Sequence, residues 1–162
     1  MSNAILKIGE EKIHVSKEYL VVLSPVFETL FFGEFAEKGK EEVEMKDLVY
    51  EEFLDLLYVI YHRTSITDRT VLHILKLADQ FQIERALEHA KLHLTESKNI
   101  DAMTKLLIAD QYNLTDLKDH CLQSFTNASE LHKKLQDFSE CPNFSANMKA
   151  AIFDRIVKLK LQ

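Results

Sequence analysis

The sequence predicts an α+β protein that is mostly helical and has a small three-stranded sheet. Only three glycines and two prolines occur in 162 residues, too few for the many tight turns of an all-β fold. Apolar residues recur at helical spacing over most of the chain, whereas strand-like alternation is confined to three short stretches near its start. The length fits one domain, or one domain with a small extension.

The predicted sheet consists of a hairpin and a later strand. Residues 5–8 and 12–15 form two short apolar-polar runs on either side of Gly9-Glu10-Glu11, which is typical of a hairpin. Residues 42–45 alternate and predict the third strand. Residues 1–4 read Met-Ser-Asn-Ala, the composition of a cloning remnant, and we expect them to contribute nothing to the fold.

A short helix is predicted between the hairpin and the third strand. Either Ser16 or Ser24 can cap it, and Pro25 suits a first helical position. Its apolar face has the spacing i, i+1, i+4, i+5, formed by Val26, Phe27, Leu30 and Phe31. The next residues, up to Lys40, become polar and contain two glycines, which predicts a loop.

The remaining chain is predicted to be helical. Six apolar faces follow one another at i, i+3, i+4 spacing, within residues 53–61, 71–78, 83–94, 103–107, 114–125 and 148–159. The stretch 139–144 contains Pro142 and is predicted to be a loop.

An internal repeat with a spacing of 31 residues lies within this helical part. Ala78-Asp79-Gln80-Phe81-Gln82-Ile83 matches Ala109-Asp110-Gln111-Tyr112-Asn113-Leu114. Each copy reads as a helix, a tight corner near the aromatic residue, and a second helix. Neither copy can bury its apolar face alone, so we predict two stacked helical hairpins of the same shape over residues 66–125.

Charge and cysteine content limit the classes of partner. The formal net charge is -6, and an acidic chain without a basic stripe is a poor ligand for phosphate backbones, so we expect no nucleic-acid partner. No apolar run is long enough to span a membrane, and no membrane partner is expected. Cys121 and Cys141 cannot form a disulfide framework or a four-ligand zinc site. With no secretory signal visible, we expect an intracellular protein of the cytoplasm, the nucleus or both.

The sequence contains no pattern that predicts catalysis, so the chain is not expected to be an enzyme. It has no phosphate-binding glycine loop and no dinucleotide-binding motif. His89 and His93 have the i, i+4 spacing that can chelate zinc, but they lie largely away from the core face of their helix and no HExxH motif accompanies them. Cys121 occupies a core position and is expected to be unreactive. We predict no catalytic, cofactor or metal site and no cofactor.

A surplus of apolar residues instead indicates a protein-binding surface. Phe31, Phe32 and Phe35 lie at a helix end and in the loop after it, and a short helix cannot bury all of them on one side. Leu54 and Tyr58 form a second stripe off the core face of their helix. Exposed apolar residues rimmed by charge mark protein-protein interfaces. The alternative is that the helical hairpins cover these residues.

Several residues in the first part of the chain resemble the core signature of BTB (or POZ) domains. The similarity rests on His14, Leu20, Ser24-Pro25-Val26-Phe27 and Leu30-Phe31. Later pieces fit in order and spacing: Val43-Glu44-Met45, Glu52-Phe53, Ile60-Tyr61 and Leu77-Ala78-Asp79-Gln80-Phe81. The resemblance covers residues 5–96 and is greatest to the speckle-type MATH-BTB subfamily. Residues 97–162 resemble the 3-box and BACK-like helical extension of such proteins. The fold implied is a small three-stranded sheet flanked by helices, followed by stacked helical hairpins.

The resemblance implies a substrate adaptor of cullin-RING E3 ubiquitin ligases that binds a cullin 3-class scaffold. The family's contact motif, hydrophobic-x-Glu in the loop after the Ser-x-x-Phe helix, matches Phe35-Ala36-Glu37. Phe31 and Tyr58 are expected to complete that cullin-binding surface. In this subfamily a separate MATH domain captures the substrate, so we expect substrate recruitment by a domain outside these residues.

The family also forms homodimers, and one group of residues is expected to mediate this. Tyr19, Leu20, Val22 and Leu23 are apolar at near-consecutive positions, which exceeds what one buried helix face needs. Residues before the first strand that many BTB dimers exchange are not present, so the dimer is expected to use the remaining helices. A BTB oligomerisation scaffold that binds no cullin is the alternative function. The sequence names no substrate.

Overall fold

The computed structural model describes residues 3–33 and 42–161. Its elements, in chain order, are β1 (Asn3–Ile8), β2 (Glu11–Ser16), α1 (Lys17–Leu23), α2 (Pro25–Phe32), β3 (Glu42–Glu44), α3 (Tyr50–Ile60), α4 (Val71–Gln80), α5 (Glu84–Glu96), α6 (Ala102–Gln111), α7 (Thr115–Ser124), α8 (Ala128–Asp137), a 3-10 turn (Cys141–Asn143) and α9 (Ala146–Lys160). The predicted α+β class with a mostly helical chain is confirmed.

The three strands form one sheet in the order β2-β1-β3, with β2 antiparallel and β3 parallel to β1. Leu6 in the central strand pairs with Ile13 on one side and Val43 on the other. Gly9 turns the hairpin at a φ of 60°, a left-handed conformation that glycine adopts without steric cost. The predicted hairpin and third strand are therefore confirmed.

The start of the chain corrects one expectation. Asn3 and Ala4 belong to β1, where Ala4 pairs with Val15 and is almost completely buried. The expectation that residues 1–4 contribute nothing to the fold is wrong for these two, because strand pairing requires only backbone groups and a small side chain fits the core. Met1 and Ser2 lie outside the described residues.

The chain divides into two compact units, Met1–His93 and Leu94–Gln162. The first unit contains the sheet, and its helices bury their apolar faces in one cluster. The largest fully buried members of that cluster include Leu6, Leu20, Phe27, Phe53, Leu56, Ile74 and Ile83. In the second unit, each of the four helices that follow α5 contributes buried apolar residues.

Both candidate capping serines begin a helix. Ser16 Oγ accepts a hydrogen bond from the Tyr19 amide at the start of α1, and Ser24 Oγ accepts one from the Phe27 amide at the start of α2. Pro25 occupies the first turn of α2, as predicted. Two short helices therefore replace the single helix of the sequence prediction, because each serine satisfies an otherwise unpaired amide.

The repeated sequence produces the same corner twice. Gln82 and Asn113 have φ angles of 51° and 53°. The amide of the residue that follows each of them, Ile83 or Leu114, donates to a carbonyl five residues back, at 2.8 Å in both copies. This is the hydrogen-bond pattern of an α-helix that ends at a residue with left-handed backbone angles. The predicted likeness of the two corners is confirmed, whereas the stacking of the hairpins stays a prediction.

Helix α8 was not predicted. Asn127 caps it by accepting from the amides of Ser129 and Glu130. Leu131 is its one buried residue, and Leu135, one turn later, is half-buried, so its apolar face is narrow. The predicted loop at 139–144 contains the 3-10 turn. None of the helices in the described ranges is long and apolar enough to cross a membrane.

Candidate protein-binding surface

Helix α2 is fixed at its start by a buried polar contact. Ser24 is buried, and its hydroxyl donates to the Phe81 carbonyl at 2.5 Å while accepting from the Phe27 amide at 3.1 Å. The Phe27 ring stacks on the Phe81 ring with 4.9 Å between centroids and meets Phe53 edge-on at 6.4 Å. The Ser-x-x-Phe signature therefore attaches α2 to the α4–α5 corner and to α3.

The other end of α2 presents aromatic side chains. Phe31 is half-buried and stacks on Phe27 at 5.9 Å, with the Lys17 ammonium 5.8 Å from its ring centre. Phe32 is 64% exposed. Phe31 therefore packs partly in the core, whereas the side chain of Phe32 is exposed and can contact a partner.

The chain leaves α2 at Gly33, whose amide donates to the Thr29 carbonyl at 2.8 Å. A Cβ at this position would clash with that carbonyl oxygen, so glycine is required for this close exit. The predicted cullin-contact motif, Phe35-Ala36-Glu37, begins two residues later and lies outside the described residues.

Helix α3 carries the remaining predicted cullin contact. Tyr58 is 45% exposed, while Leu57 and Val59 on either side of it are buried. Leu54, one turn earlier, is half-buried. The second stripe predicted from the sequence is therefore exposed at Tyr58 and only partly so at Leu54.

The four predicted dimer residues differ in exposure. Leu20 is fully buried in the core of the first unit, which corrects the expectation that its side chain faces a partner: α1 is anchored through this position. Tyr19 is also engaged within the chain, because its hydroxyl donates to the Ile60 carbonyl at 2.5 Å and its ring lies 4.6 Å from that of Tyr61.

Val22 and Leu23 are the members of that group that remain available. Val22 is 84% exposed, the highest exposure of any large apolar residue among those described. Leu23 is half-buried and lines a shallow apolar depression together with Val59, Ile60, Ile83, Arg85, Ala86 and His89. An exposed apolar side chain beside an apolar depression is a surface that suits protein association.

An ion pair holds the strand that follows the undescribed segment. Lys12 on β2 and Glu42 on β3 have their charged atoms 2.6 Å apart. The hydrogen bond from Lys12 lowers the pKa of Glu42 below its ordinary value. Both groups are substantially exposed, so the pair helps to align β2 and β3 but contributes little to stability.

His93 contacts a carboxylate, His89 is exposed and Cys121 is buried. His93 Nε2 lies 2.7 Å from Asp68 Oδ1, and His89 is exposed. Burial raises the pKa of the Cys121 thiol, opposed only in part by the Lys105 charge, so the reactive thiolate is disfavoured. Among residues 3–33 and 42–161, no three histidine, cysteine or acidic side chains converge as a metal site would require.

A model of the BTB/POZ domain family matches residues 1–98. The chain belongs to the BTB/POZ family. Its similarity to the MATH-BTB subfamily is also confirmed. BTB and MATH domain-containing protein 38 of Caenorhabditis elegans is 38% identical over 156 residues, which cover 95% of this chain and 40% of that protein. BTB and MATH domain-containing protein 36 of the same organism is 33% identical, over 81% of this chain and 41% of that protein.

A plant relative shows the same combination of domain names. BTB/POZ and MATH domain-containing protein 3 of Arabidopsis thaliana is 25% identical over 77% of this chain and 34% of that protein. The chain thus spans less than half the length of these relatives. Membership of this family and the names of these relatives support a role in protein interaction.

Proposed function

We propose that the chain is the cullin-binding and self-associating part of a substrate adaptor for a cullin-RING E3 ubiquitin ligase of the cullin 3 class. Membership of the BTB/POZ family and similarity to MATH-BTB proteins support an interaction module. The cullin assignment itself depends on the hydrophobic-x-Glu motif, Phe35-Ala36-Glu37, in the register of the family.

The observation that carries the proposal is the exposure of Phe32 at the end of an otherwise anchored helix. Ser24 and Phe27 hold α2 against the core, and Phe32 remains 64% exposed three residues before Phe35. A buried aromatic anchor is the usual centre of an interface hot spot. Tyr58, which also exposes an aromatic ring, supplies a second contact in this proposal.

Self-association is proposed to involve Val22 and Leu23, with Tyr19 and Leu20 as the residues that position α1. The exposure of Val22 beside the depression lined by Leu23 supports this division of roles. A dimer would present two cullin sites and two substrate-binding domains, which raises apparent affinity for substrates with more than one recognition segment.

Substrate capture is assigned to a domain outside these residues. The relatives are named for both a BTB and a MATH domain, and this chain spans about 40% of the first two. The chain would then act by geometry alone, holding a captured substrate near the ligase, within the cytoplasm, the nucleus or both.

Sedimentation velocity of the chain with and without a cullin 3-class amino-terminal domain tests this function. The proposal expects a faster-sedimenting complex that Tyr58→Ala weakens and Leu72→Ala does not. Leu72 is the matched control, because it is a similarly exposed apolar residue on another helix of the same unit. Absence of any complex, together with a stable homodimer, would favour the oligomerisation scaffold, for which the exposure of Val22 is the supporting observation.

A further inference from the structure

Helix α3 ends in a turn that holds a histidine in a left-handed backbone conformation. The His62 amide donates to the Val59 carbonyl at 3.0 Å, and the Arg63 amide donates to the carbonyl of Tyr58 at 2.7 Å. This pair of bonds is a Schellman motif, in which the residue after the helix cap has a positive φ angle. That residue is His62, with a φ angle of 56°. Glycine adopts this angle without steric cost, whereas a side chain makes it less favourable.

The side chains of His62 and Arg63 are both exposed. Neither takes part in a hydrogen bond or an ion pair with the residues that the structure describes, 3–33 and 42–161. Residues held in a costly backbone conformation cluster at binding sites, where the side chain has a use other than folding. The imidazole of His62 and the guanidinium of Arg63 can therefore contact another molecule without breaking a bond within the described part of the chain.

An exposed aromatic ring belongs to the same turn. Tyr58 lies in the last turn of α3 and is exposed, and its carbonyl accepts the Arg63 amide. The preceding turn is held against α4, because the His73 ring lies 2.9 Å from the Asp55 carboxylate. Asp55 and Tyr58 are three residues apart and share one side of the helix. The ring is thus carried on a fixed support, which reduces the entropy lost on binding.

The connection between α3 and α4, residues 61–70, carries positive charge in an acidic chain. Arg63 and Arg69 are both exposed. The one carboxylate of the connection belongs to Asp68, and it lies 2.7 Å from the His93 ring of α5. The formal net charge of the whole chain is -6. The end of α3 therefore combines an exposed ring with positive charge of the opposite sign to the chain.

We propose that His62 and Arg63 bind an acidic side chain of the cullin 3-class domain and so extend the contact assigned to Tyr58. This inference rests on the function proposed above. The planar Arg63 guanidinium matches a carboxylate with two parallel N–H bonds, and a ring N–H of His62 can donate one more. Charges at the border of an aromatic contact select and orient a partner more than they raise affinity. The two residues therefore determine specificity at the cullin surface.

A protein carboxylate suits this surface better than the phosphates of a nucleic acid. Nucleic-acid backbones are held by several lysines or arginines along a basic stripe. The connection has only two arginines, in a chain of negative net charge. An aromatic ring with a charged border is instead typical of a protein–protein interface.

Charge reversal tests the contact made by Arg63. In isothermal titration with a cullin 3-class amino-terminal domain, Arg63→Glu should weaken binding about tenfold at low ionic strength. The loss should shrink as salt rises, because salt screens exposed charges. Lys76→Glu is the matched control, since it makes the same change at an exposed cation of α4, and it should change the affinity less than about twofold.

The His62→Gly variant separates binding from folding. Glycine relieves the left-handed conformation, so the melting temperature should stay equal or rise, while loss of the imidazole should weaken cullin binding about threefold. A residue that only shaped the chain would move both quantities in the same direction. Gln82→Gly makes the same change at another positive φ angle, outside the proposed surface, and should leave the cullin affinity unchanged.

Failure of this inference can be told apart from failure of the adaptor function. A wild-type cullin complex whose affinity survives both Arg63→Glu and His62→Gly would overturn the inference alone. Absence of a wild-type complex would overturn both. A loss in Arg63→Glu that salt does not reduce, that Lys76→Glu reproduces, or that accompanies a large fall in melting temperature would also remove Arg63 from the cullin surface.

Discussion

The two helical corners, at Phe81 in the first unit and Tyr112 in the second, have the same backbone and different surroundings. Phe81 is buried, stacks on Phe27 and accepts the Ser24 hydroxyl proton at its carbonyl. Tyr112, 31 residues later, is only half-buried. The local sequence thus determines the shape of the corner, and the sheet-bearing core of the first unit determines how much that corner contributes to stability.

The two copies of the repeat also differ at a buried position inside their first helices. Ile74 is completely buried in α4, and the residue 31 positions later is Lys105, which is also buried. The Lys105 ammonium donates to the Ser97 carbonyl at 2.5 Å. A repeat position can therefore change from apolar to charged when a backbone acceptor lies within reach, because the buried charge then keeps a hydrogen bond.

Removing the two corner aromatics should give the largest difference between the units. Phe81→Ala should lower the free energy of unfolding by about 3–5 kcal/mol, the usual cost of emptying a buried phenylalanine site. Tyr112→Ala should cost about 1 kcal/mol, because the ring is already half-exposed. Urea denaturation followed by circular dichroism measures both. Equal losses would show that the two corners are equivalent in packing as well as in backbone.

Removing the capping serines should give a smaller difference. Ser24→Ala should cost about 2 kcal/mol, since it removes the cap of α2 and the buried hydrogen bond to Phe81. Ser145→Ala should cost about 1 kcal/mol, because the cap of α9 and its contact with Asp110 are exposed. Denaturation under the same conditions compares them. A larger loss in Ser145→Ala would contradict the role given to Ser24.

The stability contributed by the first residue of each hairpin should depend on pH in the second copy and not in the first. Asp101 opens α6, and despite its partial burial, hydrogen bonds from the Thr104 hydroxyl and from the Thr104 and Met103 amides lower its pKa. The matching residue of the first copy is Thr70, whose side chain makes no such cap. A lowered pKa means that the ionised form stabilises the fold above the unfolded value of about 4.

Asp101→Ala should therefore cost about 1 kcal/mol at neutral pH. This loss should shrink as the pH falls through the lowered pKa of Asp101, where the wild-type carboxylate becomes protonated. Thr70→Ala is the control and should show no such pH dependence. Melting curves between neutral and acid pH measure the difference, and a constant loss in Asp101→Ala would show that the carboxylate charge is unimportant.

The smallest expected change in stability comes from glycine substitutions at the positive-φ residue of each corner. Gln82 and Asn113 both have positive φ angles, which cost an L-residue about 1 kcal/mol but cost glycine nothing. Gln82→Gly should stabilise the protein by a few tenths of a kcal/mol or more. Asn113→Gly should do so less, because asparagine tolerates this conformation. Destabilisation by both changes would contradict the proposed corner geometry.

Much of the fold could be predicted from the sequence, and the exceptions have physical reasons. Gly9, Pro25 and the repeat at Phe81 and Tyr112 predicted turns and helices correctly, because each acts through its immediate neighbours. Helix α8 lies outside the six predicted apolar faces, because Leu131 and Leu135 form a narrow face among mostly polar residues. Ala4 belongs to β1 although Met-Ser-Asn-Ala has the composition of a cloning remnant, because Ala4 continues the alternation of Leu6 and Ile8 on the buried face of the strand.

The candidate surface could be predicted only in part. The apolar surplus at Phe32 and Tyr58 was visible because it exceeded what one helix face can bury. The burial of Leu20 could not be inferred, since it depends on how α1 packs against the rest of the first unit.

Isothermal titration of a cullin 3-class amino-terminal domain into the chain, its Phe35→Ala variant and its Glu37→Ala variant tests the adaptor function most directly. We predict that Phe35→Ala weakens binding by roughly thirtyfold, as expected for loss of an aromatic anchor of about 2 kcal/mol. Glu37→Ala should weaken it less, because one hydrogen bond contributes about 1 kcal/mol. Melting temperatures of all three proteins should agree. Unchanged cullin affinity in Phe35→Ala would contradict the account, and a large fall in its melting temperature would show that Phe35 belongs to the core.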